Sequence, residues 1–117
     1  KIKKEDGKIR WSMTNESIYN QYRAFFPWPG SYSYYNEKRV QLEELEIKEN
    51  TFEEKEIKMS YGDFFYDKKQ KKIIIKTGQG FLQSSQMKPE GKKTLSAQDF
   101  WNGLAKNKQK ILSFDKY

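Results

Sequence analysis

Apolar and polar positions follow different periods in successive stretches of the chain, and each change of period predicts a new element. From Thr14 onward, Ile18, Tyr22 and Phe25 recur at i, i+4 and i+7, with Tyr19 and Phe26 beside the stripe, which is the period of an amphipathic helix. Thr14 or Asn15 can cap its start, and Glu16 sits favourably in the first turn. Pro27 stops it, because the residue before a proline is pushed out of helical geometry. Past the Pro29-Gly30 turn the period becomes two. Residues 31–35 alternate serine and tyrosine, and residues 38–48 carry Val40, Leu42, Leu45 and Ile47, so both stretches predict strands. The apolar parity shifts by one between Leu42 and Leu45. In a strand this means a switch of buried face or a bulge at Glu43-Glu44.

Residues 62–66, 72–77 and 81–87 predict three more strands, joined around Asp67-Lys68 and at Gly78-Gln79-Gly80. Ser96, with Asp99 three residues on, resembles a capping box and opens a short helix that places Phe100, Trp101 and Leu104 on or near one face. Gly103 lies where it weakens or ends that helix. Residues 1–13 hold an Asp6-Gly7 turn signal and no period, which predicts an extended arm or linker. Residues 49–59 predict an acidic loop, and residues 105–117 a basic tail that extends the last helix or frays. Five short strands after a helix suggest a mainly β fold, a five-stranded, partly open barrel of the oligonucleotide-binding (OB-like) kind with an N-terminal helix and a short C-terminal one. A sandwich or an open sheet leaves similar marks.

Composition narrows the chemistry. The 117 residues suit one domain, and 16% aromatic content against 35% hydrophobic predicts a core rich in rings. Histidine and cysteine are both absent. That removes the usual general base, thiolate nucleophiles, disulfides and the metal sites that need imidazole or sulfur. No apolar run of about 18 residues exists to span a bilayer, and no signal peptide opens the chain. A soluble, cytoplasmic, monomeric protein is expected. The first residue, Lys1, suggests a piece cut from a longer polypeptide.

The net charge is +7, and it is segregated. Residues 37–58 hold eight acidic and five basic residues, a net −3, which leaves +10 for the remainder. Basic clusters include Lys3, Lys4, Lys8 and Arg10; Lys68, Lys69, Lys71 and Lys72; and Lys92 with Lys93. Lysines interleaved with tyrosine and phenylalanine suit a nucleic-acid surface, where cations neutralise phosphates and exposed rings stack on unpaired bases. Tyr32, Tyr34, Tyr35, Tyr61 and Phe64 are the candidate rings, although most rings of a small domain belong to its core. Carboxylate pairs such as Glu43-Glu44 and Glu53-Glu54 read as solvated surface, since neighbours on a strand face opposite sides. Gly78-Gln79-Gly80 lacks the spacing of a phosphate-cradling loop. No catalytic or metal-binding constellation emerges.

Two segments stand out: Arg23-Ala24-Phe25-Phe26-Pro27-Trp28-Pro29-Gly30, and Gly91-Lys92-Lys93-Thr94-Leu95-Ser96-Ala97-Gln98-Asp99-Phe100-Trp101-Asn102-Gly103. With Lys1-Ile2 and Asp6-Gly7-Lys8-Ile9-Arg10-Trp11, they resemble the C-terminal domain of methionyl-tRNA formyltransferase, in order and rough spacing from Lys1 to about Gly103. Arg10 departs from the pattern, standing where the family commonly has an acidic residue. On physical grounds, Pro27 and Pro29 fix two backbone angles and Gly30 permits a turn, so Trp28 is expected to be pinned as an anchor between helix and first strand. Gly91 is expected to make a tight turn that projects Lys92 and Lys93 just before the helix opened by Ser96 and Asp99 and packed by Phe100.

The resemblance implies an enzyme that formylates the methionine of initiator methionyl-tRNA from 10-formyltetrahydrofolate, in translation initiation. Its catalytic groups lie in an N-terminal doubly wound domain. Residues 1–13 then become the arm from that missing domain and residues 14–104 an OB-like domain. Such a domain binds no cofactor or metal, holds the tRNA through the ten basic residues named above, and has the catalytic domain as its other partner. A rival is a structural or interaction module of another formyl-transferring enzyme, without tRNA binding.

Overall fold

The computed structural model describes residues 1–49, 58–104 and 110–116. Helix α1 spans Asn15–Ala24, with Thr14 as its cap: the Thr14 hydroxyl accepts the Ser17 N–H at 3.1 Å. Ile18 is its buried residue, and Phe25 closes the helix two residues ahead of Pro27. Asn15 Nδ2 donates to the Phe81 carbonyl, which fixes the start of the helix on the sheet.

The strands are β1 (Ser31–Tyr35), β2 (Lys38–Lys48), β3 (Asp63–Asp67), β4 (Lys72–Lys76), β5 (Phe81–Pro89), β6 (Leu95–Ser96) and β7 (Leu112–Ser113). They form one antiparallel sheet in the order β1-β2-β5-β4-β3-β7, with β6 added to β5. The sheet curls into a partly open barrel, and the five longer strands are the five that the period predicts. β6 and β7 have two residues each, too few to carry an alternation. Helix α2 (Ala97–Leu104) begins where the Ser96 hydroxyl accepts the Asp99 N–H. It packs Phe100 and Trp101 against Phe64 of β3 at ring separations of 6.3 and 6.0 Å.

The parity shift in β2 has a matched partner. Glu43 pairs with Gln86 and Leu45 with Ser84, while Glu44, at φ 50°, and Ser85 opposite it drop out of the ladder together. No residue is inserted, so the register is the same on both sides. The Ser84 hydroxyl spans the gap, bonding the carbonyls of Glu43 and Gln86 at 2.7 and 2.9 Å. Both strands thereby change buried face at one point, which lets Leu42 and Leu45 both enter the core.

Closure comes from the two ends of the chain. The outer edge of β1 offers the Tyr32 and Tyr34 carbonyls, which accept the N–H of Ile9 at 2.8 Å and of Asp115 at 2.7 Å. The Asp115 carboxylate caps the β1–β2 turn by accepting the N–H groups of Asn36 and Glu37. Trp11, 4% exposed, stacks on Phe114 at 5.4 Å and donates its Nε1–H to the Ser33 hydroxyl at 2.9 Å. The opening segment, expected as an arm or linker, therefore contributes Ile9 and Trp11 to the core. The described part of the tail contributes Leu112 and Phe114. Isolated apolar residues among lysines leave no period, which is why neither contribution shows in the pattern. Most of the acidic loop at 49–59, and residues 105–109 and 117 of the tail, lie outside the described residues.

Trp11→Ala removes a buried ring, a stack and a hydrogen-bond donor at the closure point. It is expected to lower unfolding free energy by about 3–5 kcal/mol, checked by urea denaturation.

Candidate nucleic-acid interface

Strand β1 separates two environments. Ser31 and Ser33 are buried on the core side, and Tyr35 packs there on Phe64 at 5.9 Å. Tyr32 and Tyr34 alternate to the other side, beneath the opening segment, where their rings meet edge to face at 5.8 Å. The Tyr32 hydroxyl reaches the Lys4 carbonyl. Lys8 Nζ stands 5.7 Å from the centre of the Tyr34 ring, and the Arg39 guanidinium stands at the same distance from the Tyr32 ring. Two cations are thus seated on two touching rings, an arrangement that orients them.

Burial, and then the neighbouring Tyr34 and Glu5, push the Tyr32 hydroxyl above its ordinary value. Burial, and then Asp115, do the same to Tyr35.

The three basic clusters of the sequence are not equivalent. Lys3 and Lys4 are exposed at a 3-10 turn, Lys4–Gly7, where the Asp6 carboxylate accepts the Lys3 N–H. Lys8 and Arg10 line a cleft of about 910 Å³ between the opening segment, α1 and the last described residues. Tyr61 and Lys116 form part of its wall, with Lys116 Nζ 5.2 Å from the Tyr61 ring centre, while Glu5, Asp6 and Asp115 add acid to it. Lys92 and Lys93 are exposed on the turn between β5 and β6, where Gly91 adopts φ 74° as expected of a tight turn. That turn is bound to Arg39: the Glu90 carboxylate accepts the Arg39 N–H at 2.6 Å, and the Glu90 N–H donates to the Arg39 carbonyl at 2.9 Å. Arg39 therefore links Tyr32 of β1 to the turn of Lys92 and Lys93.

Lys68, Lys69 and Lys71 are exposed on the separate β3–β4 hairpin, and Lys72 pairs with Glu46 of β2 at 3.5 Å. Glu43 of the same strand accepts from Thr94. Acidic side chains of β2 thus face both turns, and the β3–β4 cluster is tied to them rather than to the arm. Sequence reasoning missed Arg39 and Lys116. Arg39 carried a signal in its place on a strand start opposite Tyr34, but its ring contact depends on hairpin register.

Trp28 corrects an expectation. It is 59% exposed, and Phe26 is 64% exposed. The loop is anchored by backbone instead, through the Gly30 N–H to the Phe25 carbonyl at 2.9 Å. Of the candidate stacking rings, Phe64 is fully buried and Tyr32 nearly so, whereas Tyr61 is exposed.

Comparison with known proteins decides the family. The family described as formyl transferase, C-terminal domain, matches residues 1–105. This chain belongs to that family. Among similar proteins, the methionyl-tRNA formyltransferase of Treponema denticola is 36% identical over 102 residues, covering 87% of this chain and 32% of that protein. The one from Caldicellulosiruptor saccharolyticus is 33% identical over 113 residues, covering 96% of this chain and 35% of its own length. The formyl transferase C-terminal domain seen here thus spans about a third of these relatives. In fold it is similar to part of HypX from Aquifex aeolicus, with a TM-score of 0.70 at 18% identity over 92% of this chain and 18% of that one. Among the described residues of the domain, no helix is long and apolar enough to cross a membrane.

Because burial favours the neutral hydroxyls, Tyr32 and Tyr35 add stability below pH 10, and that stability is lost as the pH rises through their raised values. Alkaline titration followed by tyrosinate absorbance should show two late groups, with Tyr32→Phe and Tyr35→Phe each removing one. Titration of all tyrosines in one step near pH 10 would contradict this.

Proposed function

We propose that this domain holds initiator methionyl-tRNA by its phosphate backbone, while formyl transfer from 10-formyltetrahydrofolate takes place in a catalytic domain of the longer enzyme. The observation that carries this reading is the pair of ring-seated cations, Lys8 and Arg39, with Glu90 joining Arg39 to the turn of Lys92 and Lys93. Oriented cations on a domain of net charge +7 attract a polyanion, and lysine contacts to phosphate add affinity without reading sequence. The names of the relatives supply the RNA class.

Lys3, Lys4 and Arg10 extend the contact along the opening segment, and Lys92 and Lys93 extend it past Arg39. Lys68, Lys69 and Lys71 contribute less, because β2 and β5 stand between their hairpin and β1 in the sheet, and Lys72 is partly engaged by Glu46. No imidazole or thiol exists in this domain to serve as base or nucleophile, so the proposed role is positioning.

Binding of tRNA should weaken steeply as salt rises. Lys8→Ala with Arg10→Ala should lower affinity and reduce the slope of log affinity against log salt by about 1–2. Lys92→Ala with Lys93→Ala should weaken binding to many tRNAs about equally, and Lys68→Ala with Lys69→Ala should do less. A flat salt response, or no binding at low salt, would sink the electrostatic account.

A further inference from the structure

Phe26 and Trp28 present two large rings to solvent from a loop with little freedom to move. Pro27 and Pro29 fix two of its backbone angles, and the Gly30 N–H closes it onto the Phe25 carbonyl. The loop is also pressed against the opening segment, since a Cβ at Gly7 would collide with the Gly30 carbonyl. A buried ring contributes to a core and a mobile exposed ring loses entropy on binding; a rigid exposed ring does neither. Such a ring is prepared for a partner.

The surroundings identify the partner's chemistry. Along α1, Tyr19 and Tyr22 are half-buried against the core and stack at 6.3 Å, Tyr22 meets the exposed Phe26 at 6.3 Å, and the Arg23 guanidinium lies 5.8 Å from the Tyr19 ring centre. The rings therefore continue from the helix onto the loop with a cation beside them. The 3-10 turn carrying Lys4 is bound to the same helix, through Gln21 Nε2 donating to the Asp6 carbonyl at 2.8 Å. Two exposed rings on a constrained loop, one of them joined to the helix rings and with Arg23 close by, match a nucleic-acid strand whose bases are unpaired: exposed faces take bases and cations take phosphates. Duplex RNA fits poorly, because its base faces are already stacked on one another and are not offered to a ring.

We infer that Phe26 and Trp28 form a stacking platform for unpaired RNA bases, at a single-stranded end or loop, distinct from the lysine contacts to the backbone. This inference rests on the proposed RNA-binding function and deepens it. It assigns the domain a preference for RNA that duplex contacts alone do not confer.

Trp28 gives its own readout, because Trp11 is buried and Trp101 half-buried. Single-stranded oligoadenylate should quench tryptophan emission, and Trp28→Ala should abolish most of that quenching. The same substitution should weaken oligoadenylate binding on the order of ten-fold, leaving the salt slope, the thermal midpoint and the affinity for duplex RNA of equal length unchanged. Trp28→Phe should retain most of the affinity, and Phe26→Ala should add to the loss. Equal affinity of Trp28→Ala and the unsubstituted domain for oligoadenylate overturns the inference. If salt-dependent binding that Lys8 and Arg10 control persists in that case, the proposed function stands and the platform alone fails. If the unsubstituted domain binds neither RNA at low salt, both fall, and the rings are left to a protein partner.

Discussion

The stack of Trp11 on Phe114 joins the first described segment of the chain to the last, and the curled sheet closes through that joint. Every neighbour of the pair belongs to a different part of the barrel. The Trp11 indole N–H holds Ser33 of β1, its carbonyl accepts the Gly78 N–H from the β4–β5 turn, and the Phe114 N–H reaches the Gly62 carbonyl ahead of β3. A ring buried between strand ends gains on the order of a few kcal/mol from apolar area. That gain, together with the burial of Ile9 and Leu112, offsets the entropy of ordering the two terminal segments.

Helix α1 and the five longer strands were legible because each carries a run of apolar positions bounded by turn residues. Parity in β2 even flagged Glu43-Glu44, although the physical solution is a paired dropout with Ser85 and not an inserted residue. What escaped was whatever depends on a single residue meeting a distant one. Ile9, Trp11, Leu112 and Phe114 become core residues through pairing with β1 and β3, and nothing in the lysine-rich stretches around them announces it. The loop of Pro27 and Pro29 shows the same limit from the other side. Prolines restrict where the backbone goes, but they do not say whether the Trp28 ring turns into the core or, as it does, out to solvent.

The basic clusters were visible as residue types, and their grouping was not. Lys8 and Lys92 lie far apart in sequence, and a chain of contacts runs between their segments: Lys8 sits on Tyr34, Tyr34 meets Tyr32, Arg39 sits on Tyr32, and Glu90, two residues before Lys92, bonds to Arg39. Lys72 looked equivalent to them and is partly engaged by Glu46. Among the described acids of residues 37–58, Glu43 accepts from Thr94 and Glu46 pairs with Lys72, so carboxylates of β2 meet groups beside two of the basic clusters.

The way β1 is covered has a consequence for how the domain tolerates trimming. Its carbonyl edge is shielded at Tyr32 by Ile9 and at Tyr34 by Asp115, two short single-bond covers rather than a full strand. Removing either segment would leave a strand with unpaired backbone groups, and such an edge is a template for another chain. A shortened form would then self-associate edge to edge, trading the covered edge for swapped or extended sheets. The lysines flanking both covers oppose that association by charge repulsion, so the same residues that suit a polyanion also protect the barrel from its own copies.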